Sequence, residues 1–161
     1  MKKGQTLTTD YVISLSIFAV VLIASISLWN VAESKKTWSF DIDRMQKKAM
    51  IAADTLVKTS GVPNGWTNES IEEIGISSRD HVINGTLFDN LLTVNYADAR
   101  SLFGLEMYEF YINLTNQTGG QIGSYGNAPQ NAEDLALIRR IAFFENDSAP
   151  VRAILSLYVW R

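Results

Sequence analysis

The chain has 161 residues, 47% of them hydrophobic, with no cysteine, a single histidine and a formal net charge of -3 at pH 7. That length suits one domain with an appended element rather than a two-domain enzyme, and the acidic balance lacks the broad basic face by which nucleic acid is held, so no nucleic-acid partner is expected. Without cysteine there are no disulfides and no thiolate chemistry, and His81 alone cannot build a multi-histidine metal site, which leaves oxygen ligands as the remaining route to a metal.

The first predicted element is apolar. Residues 11–29 form a nineteen-residue run without a charge, with Val12, Ile13, Leu15, Ile17, Phe18, Val20, Val21, Leu22, Ile23, Ile26 and Leu28 among them. A helix needs roughly 20 such residues to cross about 30 Å of hydrocarbon. A buried core helix would show a polar face, whereas here only Ser14, Ser16, Ser25 and Ser27 interrupt. A cleaved secretory signal would have an apolar stretch of only about 7 to 15 residues. The run therefore reads as a membrane span. Lys2 and Lys3 favour a cytoplasmic N-terminus, Lys35 and Lys36 on the far side weaken the asymmetry, and the chain after Trp29 is expected outside the cell.

Lys2-Lys3-Gly4-Gln5, followed by an acid and then a long apolar helix, resembles the class III signal peptide of archaeal type IV pilin-like proteins. Residues 1–29 carry the resemblance; "SGVPNGW" at 60–66 and the terminal "LSLYVWR" extend it more loosely. The resemblance implies that a prepilin peptidase cuts between Gly4 and Gln5, so that residues 1–4 are a signal peptide. Residues 5–31 are then kept as membrane segment and, later, filament core, and residues 32–161 form an extracellular head. It also implies the partners: the membrane, the peptidase, like or related pilin subunits and the assembly machinery. The family acid would fall at Thr9, whereas Asp10 lies one residue later, a rotation of about 100° on a helix. Two roles are open to Asp10. A carboxylate at a helix start is favoured by the helix dipole; alternatively it pairs in the filament with the free α-amine of Gln5, on its own or a neighbouring subunit, where burying either charge alone would be costly.

Beyond Trp29 the helix is expected to continue to about residue 59. Ile42, Met45, Ala49, Ala52 or Ala53, and Leu56 recur at three-to-four spacing, with Asp43, Arg44, Lys47, Lys48 and Asp54 on the other face. A bend is expected at 34–39. Ser60-Gly61-Val62-Pro63 is a helix stop, and Asn64-Gly65 and Asn84-Gly85 mark turns. Short strands are expected at 71–76 and 81–83, short helices at 87–94 and 97–102, and a strand at 108–114. Residues 115–131, polar and glycine-bearing, read as a surface loop. Two further strands, 135–144 and 151–160, are joined by "ENDSAP" as a hairpin. The fold class expected is α+β: a long N-terminal helix, transmembrane in its first half, whose amphipathic second half covers a small antiparallel sheet, the pilin-like architecture.

Candidate chemistry is sparse. His81 in "SSRDHVING" has Ser77, Ser78 and Asp80 as neighbours, too close in sequence to assemble as a triad. Asp41-x-Asp43 and Glu72-Glu73 lack the spacing of a calcium loop. Gly119-Gly120 and the 123–126 glycines lack the strand-before, helix-after context of a phosphate loop. Arg139-Arg140 in a strand sends one side chain inward, with Glu109 the expected partner. No catalytic residue, cofactor or metal is expected. Glycosylation sequons stand at Asn68, Asn84, Asn113, Asn116 and Asn146, against roughly two expected by chance from the composition. The function expected is a structural subunit, major or minor, of an archaeal pilus-like surface filament, membrane-inserted before assembly. The alternative is a signal-anchored extracytoplasmic binding or sensory domain that does not polymerise.

Overall fold

The computed structural model describes residues 3–146 and 149–161. They divide into two compact units, Met1–Asp41 and Ile42–Arg161. The first is helical throughout its described part and belongs to α1 (Lys3–Lys58). Residues 34–39, where a bend or weak turn is expected, are helical throughout, and lysine is a good helix former. Trp29 Nε1 donates to Glu33 at 3.2 Å, and the Lys36 ammonium lies 5.8 Å from the Phe40 ring centre.

The second unit contains the end of α1, two short helices and six strands. In chain order these are β1 (Ser77–Arg79), β2 (Val82–Asn84), α2 (Gly85–Thr93), α3 (Tyr96–Leu102), β3 (Glu109–Asn116), β4 (Gln121–Gly126), β5 (Leu135–Glu145) and β6 (Val151–Trp160). They form one sheet in the order β1-β2-β5-β6-β3-β4. The sheet is mixed rather than purely antiparallel, because β2 runs parallel to β5. Parallel neighbours need a long crossover, and the chain between β2 and β5 supplies it with two helices and two strands.

Strand alternation decides which side chains meet. In β3, Phe110, Ile112 and Leu114 are buried on one face, with Val159, Leu157 and Leu155 of β6 opposite them. The α1 face of Met45, Ala49, Ala52, Ala53, Leu56 and Val57 is in the same core cluster. Three alanines in that face let the helix backbone approach the sheet closely. Arg140 crosses to α1, its Nε 2.7 Å from Asp54 Oδ1. The partner of the inward arginine is thus Asp54, and Glu109 pairs instead with Arg100 at 3.0 Å.

Three local expectations are corrected. Residues 71–76 form no strand beyond an isolated bridge from Glu73 to Val62, since the amides at the end of that segment donate to the end of α1, Ile76 to Leu56 and Ser77 to Thr59. Asn84-Gly85 is a helix start rather than a turn, with the Asn84 side chain capping Leu87 N at 3.1 Å. The stretch 115–131 is not all loop: it contains β4, whose Gly123 leaves room for the Phe88 ring, 2.5 Å from where a Cβ would stand. The β5–β6 hairpin is present, with Phe144 opposite Val151; Asp147 and Ser148 of its connection lie outside the described residues.

Candidate functional site

The described chain carries one helix long and apolar enough to cross a membrane, near the N-terminus. Its large side chains stand exposed all round, from Leu22 at 47% to Leu28 at 72%. The serines within it do not break that surface. Ser16 Oγ donates to Val12 O and Ser25 Oγ to Val21 O, each at 2.8 Å, so two of the four hydroxyls are satisfied by the helix itself, as a lipid surround requires. Gly4 and Gln5 fall within α1; Lys2 lies outside the described residues. Asp10 is exposed and follows Lys3, where α1 begins, by about two turns.

The residues considered for catalysis have structural engagements. His81 takes a left-handed backbone, φ 59°, its N–H donating to Val57 O and its carbonyl accepting from Phe143 N, both at 2.8 Å. It ties the helix to β5. Its ring Nδ1 lies 2.7 Å from Asp80 Oδ1, while Ser77 Oγ donates to Leu56 O at 3.0 Å. Glu72 and Glu73 donate through their backbone N–H groups to Val62 O. Among the described residues no group of three or more histidine and carboxylate side chains gathers as a metal site requires.

One surface escaped sequence reasoning. The outer face of β5 and β6 is also apolar, with Ile141 (74% exposed), Phe143 and Ile154 lining a concavity of about 440 Å³ together with Gln117, Arg152 and Ala153. Alternation was visible in the sequence, but on β5 the apolar residues occupy both faces. The polar counterpart lies next to it across the sheet, where Arg139 pairs with Ser156 and Ser156 with Asn113.

The sequons fall in different settings. Asn68 is exposed in a turn, Asn84 caps α2, Asn113 is mid-strand in β3, and Asn116 ends β3. Asn146 is exposed, and Ser148 of its motif lies outside the described residues.

Beneath α3 the Tyr96 hydroxyl donates to Glu109 Oε2 at 2.8 Å and accepts from Phe110 N at 2.9 Å, with its ring stacked on Phe110 at 4.9 Å. Tyr125 donates to Val94 O at 2.8 Å. Burial disfavours both phenolates and pushes each pKa up to about 12. A raised folded-state value means that the stabilisation is complete below the ordinary value of 10.0 and is lost as pH rises through about 12. Absorbance titration of phenolate formation should show these two late ionisations in the folded head, and Tyr125→Phe should remove one of them; an unchanged titration in that variant contradicts the assignment.

Comparison with family models, with curated proteins and with solved structures finds no match to this chain.

Proposed function

We propose that this chain is a structural subunit of an archaeal type IV pilus-like surface filament, held in the cell membrane before assembly. The observation that supports it most is the bare apolar surface of α1 between Tyr11 and Val31. A surface apolar on every side must be covered by lipid or by similar helices, and a pilin uses both in turn. Moving it from lipid into a helix bundle exchanges one apolar surround for another, a transfer close enough to balance for an assembly motor to drive. Residues 1–4 serve as the signal removed by a prepilin peptidase, residues 5–31 as the filament core, and residues 32–161 as the extracellular head. Asp10 then serves as a docking key for the amine of Gln5. No catalytic step is part of this reading.

The concavity on the outer face of β5 and β6 favours a second reading, a membrane-anchored extracytoplasmic binding domain that never polymerises. N-terminal sequencing of the protein from sheared surface filaments separates the two. A start at Gln5 in that material is expected, and Gly4→Val should leave the precursor uncut, because a peptidase groove that grips extended chain has little room for a branched Cβ. Mature mass unchanged in Gly4→Val removes the class III processing; absence of the processed chain from filaments favours the anchored domain.

A further inference from the structure

Five sequons stand in the sequence, but the fold presents them unequally. Modification of an asparagine amide needs Nδ2 free to react and accessible to a bulky donor, and the hydroxyl two residues on to reach the amide. Asn116 meets these demands at the tip of the β3–β4 hairpin. Its Oδ1 accepts from Thr118 N at 3.0 Å, Thr118 Oγ1 at 2.8 Å and Gly120 N at 2.7 Å. Three donors on one carbonyl oxygen stabilise negative charge there, and hence the amide after Nδ2 gives up a proton. Nδ2 itself makes no hydrogen bond among the described residues. Asn116 is itself half-buried, and Nδ2 lies beside Gly120, where a Cβ would stand 2.9 Å from it. Residues 117–120 are exposed.

The sequons at Asn113, Asn68 and Asn84, whose residues are all described, lack this arrangement. Thr115, two residues after Asn113, lies along an extended strand and directs Oγ1 to Ile154 O at 3.5 Å, while the Asn113 Oδ1 is buried without a partner. Ser70 accepts from Thr67 N at 3.0 Å rather than meeting Asn68. Asn84 spends its Oδ1 on Leu87 N.

We infer that Asn116 is an N-glycan acceptor of the folded head, and that Asn113 is not one. The donor class is a polyprenyl-linked sugar phosphate or pyrophosphate. Asn116 Nδ2 bonds to the sugar C1, the C1–O bond to the phosphate breaks, the lipid phosphate leaves with the electron pair, and the Nδ2 proton passes to a base of the membrane-bound transferase. Thr118 Oγ1 and the 118 and 120 amides hold the acceptor amide in place. This rests on the proposal that the head lies outside the cell.

The test is peptide mapping by mass spectrometry of the full-length protein from its native membrane, beside protease shaving of whole cells to report where the head is. Carbohydrate on the peptide bearing Asn116 is expected, lost in Asn116→Gln and in Thr118→Val, which keeps the side-chain shape, and retained in Asn113→Gln. An unmodified Asn116 on a head that external protease digests overturns the inference and leaves the extracellular reading standing. A head that external protease cannot reach overturns both. Modification of Asn116 that survives Thr118→Val overturns the role given to the hydroxyl.

Discussion

A chain lacking residues 1–31 is expected to stay soluble, monomeric and cooperatively folded, whereas one lacking residues 1–60 should aggregate. The first cut removes residues 9–31, which stand exposed, with what precedes them, and it leaves the compact unit Ile42–Arg161 whole. The remaining length of about 130 residues suffices for one core. The second cut takes Met45, Ala49, Ala52, Ala53, Leu56 and Val57, all of them 2% exposed or less. Fully burying a single Leu, Val or Met contributes about 1.5–3 kcal/mol, so the loss of three of these already rivals a total stability of about 5–15 kcal/mol. It also removes the carbonyls of Leu56, Val57 and Thr59 that accept from Ile76, His81 and Ser77. The apolar face of β3 and β6 would then meet water, which favours association. Size-exclusion chromatography and thermal melting compare the two chains. Equal solubility and cooperativity would mean that α1 does not complete the core.

The second large effect is expected at Trp66. In the chain lacking residues 1–31, Trp66→Ala should cost about 3–5 kcal/mol from the cavity alone. Trp66 is fully buried, its Nε1 donates to Gly75 O at 2.8 Å, and its own carbonyl accepts from Asn90 Nδ2 at 2.8 Å. Truncation leaves the Gly75 carbonyl without its donor, a further cost of about 1–3 kcal/mol. The surrounding chain is shaped to the indole. Gly61 holds φ +76°, and a Cβ there would stand 2.6 Å from the ring. Trp66→Phe, which keeps most of the volume but not the N–H, should lose markedly less. Denaturant midpoints measure both; a Trp66→Ala midpoint equal to the parent's would show that 60–76 is not anchored by this side chain. "SGVPNGW", met in the sequence as a loose family likeness, thus has a structural account of its own.

The long helix and the two long C-terminal strands were legible because their signals are local. An uncharged run of nineteen residues has few alternatives, and its continuation as an amphipathic stripe from Ile42 to Leu56 announces a helix with something to cover. Strand β6 was expected at the bounds it has, since an apolar run rich in Val, Ile, Leu, Tyr and Trp starts right after Pro150. The strand β4 was not, because its position opposite Phe88 demanded glycine where a pattern would need an apolar side chain. The parallel pairing of β2 with β5 left no trace either, for a three-residue strand carries no mark of its partner's direction.

Charge and site chemistry divide the same way. That one of Arg139 and Arg140 would point inward follows from the two-residue period of a strand; that its partner is Asp54, 86 residues away, depends on how α1 crosses the sheet. Composition and periodicity by themselves determined a membrane-compatible helix, an α+β head and the set of sequons, because each depends only on neighbours along the chain. Tertiary structure alone decided that Asn116 caps a hairpin tip with its hydroxyl partner in contact while Asn113 lies between two strands, because the reach of a side chain depends on backbone geometry that a three-residue motif does not specify.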